Sequence, residues 1–256
     1  MTNPPARFFW YELMTVDVPA AAAFYAKVVG WNAQPIGPAA GDFVILQTGE
    51  RGVAGVTGML DNLAASGAAP FWVGYILSDD VDASVVRVVA AGGAVHRAPE
   101  DIPGIGRFAM VNDPQGAIFM LMKPQGPDQP KVDPMTPGFV GWHELMAVDG
   151  QAAADFYIRM FGWQRTAAHD MGPMGVYQLF GGDDGDIGGM MTKPPHIPSP
   201  HWNYYFSVES VKAGAERLVA EGGLVTNGPM QVPGGNWILQ ARDPQGAMFC
   251  LTSTAP

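Results

Sequence analysis

Hydrophobic and polar side chains alternate along residues 8–16, with β-branched Thr15 and Val16 at the end, and this predicts a strand. The alanine-rich stretch Val18 to Val29 reads as a helix ended by Gly30. Short strands follow at 43–47 and 53–59, separated by a turn at 49–52. Trp72 to Leu77 begins the pattern again. Asp80 or Asp82 can cap a helix that passes through Val85-Val86 and Val88-Val89 and stops at Gly92-Gly93. Strands at 94–97, 108–111 and 117–122 complete the run, and Asp113-Pro114-Gln115-Gly116 is a turn in which proline presets φ and glycine accepts a positive φ. The element order is βαβββ, twice.

The whole pattern then repeats. Trp10-Tyr11-Glu12-Leu13-Met14-Thr15-Val16-Asp17 returns as Trp142-His143-Glu144-Leu145-Met146-Ala147-Val148-Asp149, at an offset of 132 that also carries Phe24-Tyr25 onto Phe156-Tyr157 and Gly30-Trp31 onto Gly162-Trp163. Asp113-Pro114-Gln115-Gly116-Ala117 returns as Asp243-Pro244-Gln245-Gly246-Ala247 at an offset of 130, as do Trp72 as Trp202 and Tyr75 as Tyr205. Two residues were therefore lost between Trp163 and Trp202, where a variable loop is expected. The chain reads as a tandem duplication holding four βαβββ modules: a first domain at 6–123, a proline-rich linker at 124–138, and a second domain at 139–254. Prolines 124, 127, 130, 134 and 137 remove amide donors and favour an extended, semi-rigid spacer.

Composition narrows the function. Of 256 residues, 48% are hydrophobic and 15% charged, which marks a globular chain with a large core. The formal charge of −10 lacks the basic footprint that nucleic acid needs. Cys250 alone cannot form an internal disulfide or a multi-cysteine zinc site. No run of 18 apolar residues and no basic-then-apolar leader is seen, so a soluble cytoplasmic protein, monomer or homodimer, is expected, with no membrane partner.

The pattern strand–(V-x-D)–x6–(F-Y)–x4–(G-W), followed about ninety residues later by D-P-x-G before a final strand, resembles the vicinal oxygen chelate superfamily of glyoxalases, bleomycin-resistance proteins and extradiol dioxygenases. The resemblance implies an α+β fold of four βαβββ modules in two tandem glyoxalase/bleomycin-resistance-type domains, with curled mixed sheets around a cavity. It also implies a metal held by a His or Gln of a first strand and a Glu four residues after the turn glycine. Those positions carry Trp10 and Trp142, and Met120 and Cys250; the second and fourth modules place theirs near Val73 and Asn203. An indole has no lone pair for a cation, and a catalytic site needs about three N or O donors. No metal and no other cofactor is expected, a divalent Ni, Zn, Fe or Mn being the alternative.

Strand phase puts Trp10, Glu12 and Met14 on one face and Trp142, Glu144 and Met146 on its equivalent. Tyr75, Tyr205, Met120, Met122 and Cys250 join them as ligand-binding candidates, giving an apolar, aromatic site for a small molecule with one carboxylate near its centre. Desolvation beside Trp and Met would raise the proton affinity of Glu12 and Glu144 towards use as general acid or base. The competing reading has each Glu bonded to a tyrosine hydroxyl or backbone amides and holding modules together. His96, His143, His169, His196 and His201 are scattered and read as surface or loop residues, His143 on the phase opposite the site. Asp183, Asp184 and Asp186 read as a solvated turn, Phe24-Tyr25 and Phe156-Tyr157 as core, and Cys250 as a small buried hydrophobe. Three functions stay open: a metal-independent glyoxalase-like lyase or isomerase, a non-catalytic binding or sequestration protein, and a metal-dependent glyoxalase or dioxygenase.

Overall fold

The computed structural model describes residues 6–36, 43–65, 67–127, 129–182 and 184–256, apart from the side chain of Asn62; Asp183 of the acidic turn and the leader region 1–5 lie outside the described residues. The first module is β1 (Phe8–Thr15), α1 (Val18–Val29), β2 (Asn32–Pro35), β3 (Val44–Thr48) and β4 (Arg51–Gly58). A short helix α2 (Asp61–Ala65) precedes the second: β5 (Phe71–Leu77), α3 (Val81–Ala90), β6 (Ala94–Ile102), β7 (Gly106–Asn112) and β8 (Ile118–Pro124). The third is β9 (Val140–Ala147), α4 (Gly150–Phe161), β10 (Gln164–Asp170), β11 (Val176–Gly182) and β12 (Gly185–Thr192). The fourth is β13 (His201–Ser207), α5 (Val211–Ala220), β14 (Leu224–Gln231), β15 (Trp237–Arg242) and β16 (Met248–Ser253). The strands form two eight-stranded mixed sheets, ordered β2-β3-β4-β1-β5-β8-β7-β6 and β10-β11-β12-β9-β13-β16-β15-β14. The fold is α+β with four βαβββ modules, as the repeat predicts.

Local chemistry explains the helices. The Asp17 side chain accepts from Ala20 N and Gly30 closes α1 in the left-handed region, φ 92°; Asp149 and Gly162 do the same for α4. Asp80 is the cap of α3, while Asp82 pairs with Arg107. β2 escapes sequence reading because all four of its residues are exposed and carry no alternation. The change of offset is also resolved: β4 residue Gly55 corresponds to Gly189 at 134, so two residues enter before β11 and four leave after β12, where α2 has no counterpart.

Two closely packed units emerge, and each interleaves the halves. One contains the chain up to Trp10, Gly74–Pro130 and His143–Trp202; the other contains Tyr11–Val73, Lys131–Trp142 and Asn203–Pro256.

In the second of these units, Tyr25 of α1 is fully buried. Its hydroxyl donates to Asp243 Oδ2 at 3.1 Å and accepts from Trp72 Nε1 at 2.9 Å. Trp72, Phe249 and Phe206 stand edge-on around the tyrosine ring, the first two at 5.0 and 5.1 Å. Asp243 Oδ1 also accepts the amides of Gln245 and Ala247, which closes the Asp-Pro-Gln-Gly turn. The Gln245 side chain then clasps the start of α1, accepting from Asp17 N and donating to Asp17 O, both at 2.8 Å. Part of the proline-rich segment is fastened here too: Gly138 O accepts Trp31 Nε1 at 2.7 Å, and Pro134 O accepts Ser207 Oγ at 2.7 Å.

The other unit repeats the arrangement with the duplicated residues. Tyr157 donates to Asp113 Oδ2 at 3.1 Å and accepts from Trp202 Nε1 at 3.0 Å. Gln115 clasps Asp149, and Trp163 Nε1 donates to Ala6 O. His143 departs from its surface reading. It is 7% exposed, stacks on Phe8 at 4.3 Å, and its Nδ1 bonds Ile187 O at 2.7 Å. Burial pushes its pKa down to about 4, so the ring is neutral at neutral pH. The phase opposite the candidate site faces the packed interior, and its counterpart Tyr11 is buried likewise, edge-on to Tyr204.

The tyrosine hydroxyls satisfy a buried indole and a buried carboxyl at once. Tyr157→Phe and Tyr25→Phe should each lower the unfolding free energy by about 1–3 kcal/mol, read from denaturant midpoints. Burial, outweighing the amide and tyrosine hydrogen bonds, holds the Asp113 and Asp243 carboxyls above the ordinary 3.8. A folded-state value raised in this way gives stability that is complete below 3.8 and declines as pH climbs through the raised value. Denaturant melts across that range should show the advantage of wild type over Asp113→Asn shrinking with rising pH; an advantage that grows would contradict the burial argument.

Candidate functional site

Each first strand of a half carries a carboxylate in the same local setting. In the unit that holds β9, Glu144 pairs in parallel with Gly189 of β12, whose antiparallel partner on β11 is Leu179. Glu144 is buried, 7% exposed. A Cβ placed on Gly189 would stand 2.1 Å from the ring of Tyr177 and 2.5 Å from its hydroxyl oxygen. The hydroxyl end of the tyrosine therefore lies over the glycine, in the lane beside Glu144, and glycine is required there because the ring approaches the backbone. Met146 pairs with Met191 in the next row, and exposed His169 of β10 pairs with Tyr177.

In the other unit, Glu12 pairs with Gly55 of β4, whose partner on β3 is Ile45. Here a Cβ on the glycine would meet the tip of the Phe43 ring at 2.6 Å. Phe43 and Tyr177 share the offset of 134 that relates Gly55 to Gly189, so they are equivalent positions. The two copies keep the carboxylate, the glycine and the covering ring, and differ by one hydroxyl.

The even-numbered modules differ more. Tyr75 of β5 pairs with Met120 of β8, which pairs with Met110 of β7; Leu77, Met122 and Phe108 form the next row. Met110, Met120 and Met122 are all buried. Arg97 of β6 pairs with Met110, and its guanidinium lies 4.8 Å from the Phe108 ring centre. In the fourth module the corresponding row is Tyr205, Cys250, Gln240 and Asn227. Gln240 Nε2 donates to the Tyr205 hydroxyl at 3.2 Å, and Asn227 Nδ2 donates to Gln240 Oε1 at 3.3 Å. Both rows start from a tyrosine; one continues through two thioethers to an arginine, the other through a thiol to two amides.

These positions place the expected residues as follows. Tyr75, Met120 and Met122 meet in one unit, where Glu144 and Met146 follow one another along β9; Tyr205 and Cys250 meet in the other, which also holds Glu12 and Met14 of β1. Trp10 and Trp142 are half-buried on β1 and β9. Phe43, Tyr177, Met110, Arg97, Gln240 and Asn227 escaped the sequence reading. The signal for Phe43 was Gly55 inside the strand predicted at 53–59, which marks a close approach.

The metal that the resemblance implies does not suit these rows. At the position where the resemblance places a carboxylate, Met120 lies between Tyr75 and Met110, and Cys250 lies between Tyr205 and Gln240. Among the described residues no three His, Cys, Asp or Glu side chains are gathered so that they could hold an ion. Thioether and indole groups do not fit a hard divalent cation.

No helix among the described residues is long and apolar enough to cross a membrane. Among curated relatives, the "Putative glyoxylase CFP32" of Mycobacterium bovis is 32% identical over 250 residues, covering 96% of this chain and 94% of the relative. The "Anthracycline biosynthesis protein DnrV" of Streptomyces peucetius is 33% identical over 255 residues, covering 94% and 91%. Among solved structures, an Mn(II)-bound glyoxalase from Novosphingobium aromaticivorans matches with TM-score 0.66 at 18% identity, over 99% of this chain and 83% of that one. A 2,2',3-trihydroxybiphenyl 1,2-dioxygenase from Sphingomonas wittichii matches with TM-score 0.68 at 12% identity, over 97% and 90%. These two structures share the fold. The Glyoxalase/Bleomycin resistance protein/Dioxygenase superfamily model matches residues 7–121 and 140–251, one match per half, and the chain belongs to that superfamily.

Proposed function

We propose that this protein handles a planar aromatic small molecule on the strand faces that carry Glu12 and Glu144, and that it exchanges protons with that molecule without a divalent metal. The observation that carries this reading is the repeated constellation of a carboxylate beside a ring-covered glycine, at Glu12–Gly55–Phe43 and Glu144–Gly189–Tyr177. An aromatic ring backed by strand backbone offers a partner for a second ring, and a carboxylate in the adjacent lane can take a proton from an acidic C–H or O–H of a molecule resting there. Methionine-rich rows such as Tyr75–Met120–Met110 suit a polarizable aromatic ligand. Two relatives, at 33% and 32% identity, are named anthracycline biosynthesis proteins, which supports a fused-ring ligand bearing carbonyl and hydroxyl groups.

The chemistry asked of the site is small. The carboxylate removes a proton from carbon next to a ring ketone, the electron pair moves into the carbonyl as an enolate, and return of the proton completes an isomerisation or exchange. No oxidant or reductant is needed.

The test uses α-tetralone, a fused aromatic ketone, as probe. Binding is read from tryptophan fluorescence, and exchange of its α-protons in deuterated water is read by NMR. Wild type should bind the probe and accelerate exchange. The double variant Glu12→Gln/Glu144→Gln should lose that acceleration by about a hundredfold or more while keeping its affinity, as expected for loss of a general base. Binding with no exchange, unchanged by Glu12→Gln or Glu144→Gln, would instead assign a sequestration protein.

A further inference from the structure

The duplicated carboxylates are not equivalent, and the difference lies in a single atom. The hydroxyl end of Tyr177 is seated over Gly189, its hydroxyl oxygen 2.5 Å from the point where a Cβ of that glycine would stand. Glu144 is the parallel partner of Gly189, and neighbouring strands are spaced by about 4.8 Å with paired side chains on the same face. The phenol is thus fixed in the adjacent lane, well within the reach of a glutamate side chain. In the first copy the equivalent ring is Phe43, whose tip approaches Gly55, and it has no hydroxyl proton to donate.

We infer that Tyr177 is a positioning residue for Glu144, and that the second copy is the one adapted to move protons. The inference rests on the reading of Glu144 as an acid or base. A phenol donating to a carboxylate holds it in one rotamer and stabilises its charged form, so Glu144 is kept ionised and aimed as a base. Because Gly189 cannot accept a side chain without displacing the ring, the glycine and the tyrosine act together. The first copy, with an all-apolar cover, keeps a stacking surface but lacks this control over its acid. Among the described residues of this unit, the other strands contribute Met191, Leu179 and Met146 to the same lanes, together with the titratable but exposed His169 opposite Tyr177.

The test is a carbon-13 NMR titration of glutamate carboxyls in the full-length protein, with Glu12 and Glu144 assigned by their glutamine variants. Tyr177→Phe should increase the proton affinity of Glu144 by about threefold or more and leave Glu12 unmoved. The same comparison in a His169→Gln background excludes the imidazole as the source. Should Tyr177→Phe fail to fold, Phe43→Tyr decides the matter: it should lower the proton affinity of Glu12 by a similar factor. A folded Tyr177→Phe variant in which Glu144 titrates as before overturns the inference. This readout needs no ligand, so its failure sinks the positioning role alone, whereas absent exchange with the tetralone probe sinks the underlying function.

Discussion

A buried tyrosine hydroxyl shared between an indole N–H and a carboxylate is the constraint around which each unit is built. Leaving any of the three groups without a partner in the interior would cost as much as a large cavity. The three come from separate modules, so the network also dictates which modules share a unit. Tyr25 of the first module requires Asp243 of the fourth, and Tyr157 of the third requires Asp113 of the second. The glutamine two residues after each aspartate completes the clasp on the helix start. Duplication preserved these residues in both halves because each copy supplies the other's partner.

That arrangement commits one strand phase to the interior. Tyr11 and Leu13, or His143 and Leu145, pack inward, and Glu12 and Glu144 fall on the alternate phase. The same pleat seats Gly55 and Gly189 beside them and leaves room for a ring to lie across the backbone. The candidate chemistry is therefore a by-product of a core that allows little variation, and the freedom to diverge is concentrated at positions such as Phe43 and Tyr177, or Met110 and Gln240. The arginine of one even-numbered module and the amide chain of the other show how far that divergence has gone.

Much of the fold was legible in the chain. Helix α1 appeared with its residue limits because Asp17, the alanines and Gly30 are local signals, and the repeat multiplied every such signal by two. The turn at Asp113 was legible as a turn, since Asp113 Oδ1 closes it on local amides, but Asp113 Oδ2 and the Gln115 side chain bond Tyr157 and Asp149, far away in sequence, which no local pattern reveals. β2 was hidden because Asn32–Pro35 is an exposed edge, and His143 was misplaced because strand phase alone does not say which face is solvent. In the site, Glu12 and Glu144 stood out as acids among aromatic and sulfur side chains. Their covering rings did not, since the offset of 134 that equates Phe43 with Tyr177 becomes visible only once the strand registers are known.

The central proposal is that thioether, thiol and indole groups stand where the resemblance places cation ligands, and that Glu12 and Glu144 move protons without a divalent metal. The most direct check is elemental analysis of the protein purified without chelators and then incubated with excess Mn, Fe, Ni or Zn and desalted. The account predicts retained metal far below one equivalent per chain for all four ions. Stoichiometric retention of any of them, lost when Glu12 or Glu144 is replaced by glutamine, would contradict it.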